Sequence, residues 1–126
     1  MLFRSLEMLN KLNPTQAHLY DYSELQIAST HKDTVYRMHT DNPDKLLTLV
    51  VYLKPENNTG TVMALDKKGP DLKTVEWKQN RAFIFSANQT TTWHRWQGDK
   101  LSTRHVLIYI LRCDKSKVTG NFDDDN

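Results

Sequence analysis

Thr34-Val35-Tyr36-Arg37-Met38-His39-Thr40-Asp41-Asn42-Pro43-Asp44-Lys45-Leu46-Leu47-Thr48-Leu49-Val50-Val51-Tyr52-Leu53 sets two strand patterns on either side of a tight turn. Thr34–Thr40 has the period-two character of a strand. Asp41-Asn42-Pro43-Asp44 carries strong turn chemistry, since Asn and Asp side chains bond back to nearby amides and proline fixes its own φ. Leu46–Leu53, rich in Leu, Val and Tyr, predicts a strand buried on both faces.

Working outward, the pattern repeats. Upstream, Leu25–Ser29 is a candidate strand, set off from Thr34–Thr40 by His31-Lys32-Asp33. Before it, Leu2, Leu6, Leu9 and Leu12 recur near helical spacing until Asn13-Pro14 stops them, which predicts a short amphipathic helix. Downstream, the turn Pro55–Gly60 leads into a strand Thr61–Leu65, and the turn Lys67–Pro70 leads into strands Thr74–Trp77 and Arg81–Ser86. Asn88–Lys100 reads as a long polar-aromatic loop, and Arg104–Leu111 as a final strong strand. Many short strands with no repeat and no linker predict a mainly β fold, a sandwich or jelly roll. Residues 1–120 are expected to form a single domain, and the acidic tail 121–126 to be disordered.

Composition narrows the function classes. With 126 residues the chain can build one sizeable core. A hydrophobic share of 38% beside 25% charged residues is globular rather than disordered. The net charge of +2 gives no electrostatic footprint for nucleic acid or an anionic membrane. The longest apolar stretch, Leu46–Leu53, is far short of a membrane span. Met1-Leu2-Phe3-Arg4 lacks a basic region followed by an apolar block, so no signal peptide is expected. A single cysteine, Cys113, can form no internal disulfide and favours a reducing, cytoplasmic compartment.

Chemistry concentrates in His39-Thr40-Asp41, answered downstream by His94 and then Arg104. Residues i and i+2 of a strand project to the same side, so His39 and Asp41 can share one space. Two imidazoles and a carboxylate can hold a divalent metal on one face and leave positions open, the pattern of non-haem iron oxygenases. Arg104 shares a strand face with Val106, Ile108 and Ile110, where a guanidinium is costly unless an anion meets it. Thr48 and Tyr52 share a face of the buried strand and offer two hydroxyls to the same anion.

Each residue also has an ordinary structural role. A chance His-x-Asp occurs in roughly a third of chains with this many histidines and acids. His94, between Trp93 and Trp96, fits an aromatic cluster, Arg104 an edge-strand ion pair, and Tyr52 a core tyrosine with a satisfied hydroxyl. Trp93, Arg95 and Trp96 fit either a substrate mouth or the packing of their loop against a barrel. His18, His31 and His105 lack comparable context, and His105 faces away from Arg104. Order and spacing together favour the metal reading. A metal enzyme that uses no acidic co-substrate, and a non-catalytic β-barrel binding module, remain alternatives.

The segment Tyr36-Arg37-Met38-His39-Thr40-Asp41-Asn42-Pro43, with Leu47–Leu53, Gly60, His94 and Arg104, resembles the Fe(II)/2-oxoglutarate-dependent dioxygenases, and most of all their prolyl hydroxylase branch. The resemblance covers Val35 to Leu111. It implies a double-stranded β-helix, the jelly-roll barrel shared with cupins. It also implies Fe(II) held by His39, Asp41 and His94, and 2-oxoglutarate held by Arg104 with Tyr52 and Thr48. The reaction would be hydroxylation of a prolyl residue in a peptide or protein, or of a small molecule. The chain departs from the pattern at Val106, where many members have Ser, and at Thr59-Gly60-Thr61, where relatives often pair glycines. It also departs in the short helix offered by Met1–Leu12.

Overall fold

The computed structural model describes residues 2–88 and 90–122. Two four-stranded antiparallel sheets face each other. One has the order β1-β8-β3-β6 and the other β2-β7-β4-β5. The strands are β1 (Tyr22–Thr30), β2 (Val35–His39), β3 (Lys45–Lys54), β4 (Thr61–Ala64), β5 (Asp71–Val75), β6 (Ala82–Phe85), β7 (Trp93–Gln97) and β8 (Arg104–Arg112). Apart from the β4–β5 hairpin, each strand is followed by one in the opposite sheet. That winding is the double-stranded β-helix, and the fold class is the one expected.

β3 and β8 form the centre of the first sheet. Thr48 lies opposite Ile110, Val50 opposite Ile108 and Tyr52 opposite Val106, so the even-numbered residues of both strands point between the sheets. Burial follows the register: Leu46, Thr48, Val50 and Tyr52 are buried, whereas Leu49, Val51 and Leu53 on the outer face are half-buried. The expectation of burial on both faces holds best for Lys45–Thr48, all buried, where α1 (Leu2–Leu12) covers the outer side. Leu9 is fully buried in a cluster with Leu46, Leu47, Leu111 and Cys113. Asn13 ends the helix as expected: its amide bonds to Leu9 O at 2.8 Å and its side chain donates to Leu46 O at 3.1 Å. At this same end of β3, Arg112 holds buried Asp44 at 2.8 Å and Glu24 at 2.6 Å.

Two strand expectations need correction. Residues 93–97, expected within a loop, form β7: the backbone pairs with β2 and β4, and the polar His94 at an inward position masks the alternation in the sequence. The strand expected at Thr74–Trp77 lies at Asp71–Val75, and Trp77 beyond its end stacks on Tyr52 at 4.3 Å between ring centroids. Of the expected tail 121–126, residues 123–126 lie outside the described residues, and Lys115 Nζ sits over the Phe122 ring at 5.6 Å. Among the described residues no helix is long and apolar enough to cross a membrane.

The turn before β4 contains a steric demand. A Cβ on Gly60 would lie 2.2 Å from the backbone oxygen of Val75, and backbone cannot swing aside as a side chain can. Gly60→Ala is therefore expected to destabilise the fold by about 1–3 kcal/mol, the usual cost of overpacking. Chemical denaturation checks this, and a midpoint equal to wild type would refute the close approach.

Candidate functional site

Strand pairing brings the two histidines together. β2 and β7 run antiparallel with His39 directly opposite His94, after an irregularity in register between Tyr36 and His39. Their rings lie 4.3 Å apart between centroids. β2 ends at His39, and Asp41 projects from the loop that follows, as the turn chemistry there predicts. The loop nevertheless turns its carboxylate inward. Asp41 is buried, with Oδ1 3.7 Å from His39 Nε2 and 3.5 Å from His94 Nε2. One ligand atom from each of the three residues lies within 4.8 Å of the others.

Ring orientation is set by backbone carbonyls. His39 Nδ1 lies 2.6 Å from Arg37 O, and His94 Nδ1 lies 3.2 Å from Thr92 O, in both cases two residues upstream. An Nδ1–H donated to a carbonyl leaves Nε2 with its lone pair, the tautomer that ligates metal. Burial and the neighbouring His94 push the His39 pKa down, against the pull of the Arg37 carbonyl and Asp41, so the ring is neutral at neutral pH. Burial works against ionisation of Asp41, but the approach of His94 and the charges of His94, Lys45 and His39 outweigh it and hold the pKa at about 2. Two imidazole Nε2 atoms and one ionised carboxylate, all aimed at one point, suit a divalent ion.

Beside this cluster, the space between the sheets forms a cavity. His39, Asp41, His94, Thr48, Arg104 and Trp96 line it together with apolar residues of the first sheet. Arg104 is buried, and among the described residues it makes no ion pair; its Nε and Nη1 have no hydrogen-bond partner. Burial pushes its pKa down to about 10, with Tyr52 and Tyr36 opposing, so it stays a cation at neutral pH. Thr48 Oγ1 is also buried without a partner. Buried polar groups are almost always satisfied, so these unmet atoms around one cavity mark a place shaped for an anionic ligand.

Of the six residues singled out from sequence, five line the cavity and Tyr52 does not. The Tyr52 hydroxyl lies 2.9 Å from Thr61 Oγ1 and 3.0 Å from Val75 O, and it accepts from Thr61 N at 3.1 Å. Its ring is what approaches Arg104, at 5.9 Å from the guanidinium carbon. Val106 is a buried apolar wall of the same cavity. Arg95 forms a two-pronged pair with Asp71 at 2.7 and 2.8 Å. His105 lies on the outer face, 2.8 Å from Ser29 Oγ.

Three participants take roles that the sequence did not assign them. Lys45 is buried with Nζ 3.9 Å from Asp41 Oδ1; its signal was a charge opening an otherwise apolar strand. The Phe85 ring lies 5.3 Å from that of His94. Trp96 stacks on Arg104.

Comparison with known proteins agrees with this arrangement. A model of the 2OG-Fe(II) oxygenase superfamily matches residues 16–112. No curated protein matches the sequence. Among solved structures, a prolyl-4-hydroxylase of Pseudomonas putida is similar, with 17% identity, a TM-score of 0.57, and 76% of this chain and 55% of that chain covered. The viral collagen prolyl hydroxylase of Paramecium bursaria Chlorella virus-1 is 18% identical over 90% of this chain and 66% of that one, with a TM-score of 0.57. A prolyl 4-hydroxylase of Phytophthora capsici is 20% identical over 95% of this chain and 44% of that one, with a TM-score of 0.59. At these identities the likeness establishes the fold, and the chain spans about half the length of the structures it matches. With the family model covering most of the chain, this protein belongs to the 2OG-Fe(II) oxygenase superfamily, whose metal and co-substrate are Fe(II) and 2-oxoglutarate.

Proposed function

We propose that the protein is a 2-oxoglutarate-dependent dioxygenase that hydroxylates an unactivated C–H bond and releases succinate and CO2. One observation carries this reading. A convergent His39, Asp41 and His94 set shares a cavity with a buried, unpaired guanidinium. His39 Nε2, Asp41 and His94 Nε2 would hold the iron, and their face toward the cavity stays open. Bound there, Fe(II) supplies the activation of dioxygen that is coupled to decarboxylation of 2-oxoglutarate.

The chain's own residues prepare that chemistry. Arg37 O and Thr92 O fix the two imidazole rings, and Lys45 helps to keep Asp41 ionised. Arg104 and Thr48 receive the distal carboxylate of 2-oxoglutarate with donors that no group among the described residues satisfies. A metal enzyme without an acidic co-substrate would leave those donors unmet, which favours the oxygenase reading over that alternative. Tyr52 contributes its ring to the walls around Arg104 and keeps its hydroxyl for Thr61 and Val75. Apolar side chains such as Val50, Phe83 and Ile108 exclude water from the cavity.

A prolyl residue in a peptide or protein is the proposed substrate class, on the resemblance of the His39–Leu53 segment and the kinds of protein that share the fold. Cys113, buried and free in the core, suits a reducing, cytoplasmic setting. The direct test is succinate release with Fe(II), 2-oxoglutarate and a panel of proline-containing peptides and small molecules. Succinate formation that requires both 2-oxoglutarate and iron is expected. Oxygen uptake indifferent to 2-oxoglutarate would overturn the proposal.

A further inference from the structure

We infer that Trp96 is a positioning residue for the anion site: its indole face sets the plane of the Arg104 guanidinium and so tunes the affinity for 2-oxoglutarate. The inference rests on the proposed role of Arg104. Trp96 lies two residues beyond His94 on β7, so both side chains point inward from one strand. It is buried, and its Nε1 donates to Thr59 O at 3.1 Å, which fixes the ring from its far edge. The guanidinium carbon sits 4.0 Å from the indole centroid, closer than to Trp77 at 5.8 Å or Tyr52 at 5.9 Å.

Among the described residues no protein acceptor receives a hydrogen bond from Nε or Nη1 of Arg104, and Val106 and Ile108 on its own strand face are apolar. The aromatic ring is therefore what holds the fork. A guanidinium carries all its donors in its own plane, so a ring on one face leaves them spread edgewise toward the cavity. A fork already held in that plane gives up less freedom when a carboxylate arrives.

The test uses Mn(II)-loaded protein without turnover, with 2-oxoglutarate binding followed by calorimetry and Mn(II) affinity measured in parallel. Trp96→Phe keeps a ring face but loses the bond to Thr59. Trp96→Met and Trp96→Leu are two non-aromatic fillings, and whichever keeps its thermal midpoint carries the test. The non-aromatic variant is expected to bind 2-oxoglutarate roughly ten- to thirtyfold more weakly. Its Mn(II) affinity should stay within about twofold of wild type, because the ligand set is untouched. In turnover the apparent KM for 2-oxoglutarate should carry the effect, and Trp96→Phe should recover most of it. A folded non-aromatic variant that binds 2-oxoglutarate like wild type would overturn the inference, as would a Phe variant no better than Met. Wild-type protein that binds Mn(II) but no 2-oxoglutarate would instead overturn the co-substrate reading itself, and the inference with it.

Discussion

His94→Ala protein is expected to bind no stoichiometric Fe(II) or Mn(II) and to release no succinate, while keeping its fold. The ring contributes one of three convergent donors, and the two that remain, His39 Nε2 and Asp41, cannot hold a divalent ion facially. Loss of an outer hydrogen bond to a metal ligand commonly costs ten- to a hundredfold in affinity, so loss of the ligand itself should exceed about a hundredfold. The fold should survive because β7 keeps its register with β2 and β4 through the backbone, and Trp96 still anchors the strand. His39→Ala should behave alike. His105→Ala is the control: it lies on the outer face against Ser29 and should leave metal binding untouched. Metal analysis and a thermal melt of the same preparation check both halves of the expectation. Near-normal turnover in either ligand variant would remove that residue from the site.

The second large effect belongs to Arg104. Arg104→Met is expected to raise the 2-oxoglutarate requirement by the equivalent of about 2–5 kcal/mol, the loss of a desolvated charge-assisted pair. Its effect on the unliganded fold should be small, for a reason peculiar to this residue. A buried arginine normally answers a buried carboxylate, and its removal strands the partner at about 3–5 kcal/mol. Arg104 has no such partner among the described residues; its Nε and Nη1 are already unmet. Deletion removes about 1–3 kcal/mol of unsatisfied donors and about 1–2 kcal/mol of cation–π contact with Trp96, so the two nearly cancel. Stability within about 1 kcal/mol of wild type, together with a collapsed 2-oxoglutarate affinity, would separate this arginine from a structural one. Arg112 offers the contrast, because it holds fully buried Asp44 and its loss should unfold the protein.

Much of this was legible in the order of residues. Leu46–Leu53 announced a buried central strand because both of its faces are apolar, and Asn13-Pro14 marked the end of the helix. His39, Asp41 and His94 could be picked out only together, by their order and spacing with Arg104, since each alone has an ordinary structural role. The strand that carries His94 could not be read as one. Trp93–Gln97 alternates correctly, but His94 occupies an inward position where a strand pattern expects an apolar residue, so chemistry hid the periodicity. Tyr52 was placed on the correct face, yet its hydroxyl goes to Thr61 and Val75, partners brought in by strands of the opposite sheet. Trp96 and Lys45 gave weaker signals still: Trp96 meets Arg104 from the opposite sheet, and Lys45 meets Asp41, four residues earlier, only through the way the intervening loop folds. The carbonyls of Arg37 and Thr92, which set the imidazole tautomers, leave no trace in residue identity at all.

The most direct measurement is a crystal structure of the protein soaked with Mn(II) and 2-oxoglutarate, with the ion located by its anomalous scattering. One ion is expected, bonded to His39 Nε2, an Asp41 oxygen and His94 Nε2, with a carboxylate of 2-oxoglutarate against Arg104. An ion bound elsewhere, or a His94 ring turned out of the ion's reach, would contradict it.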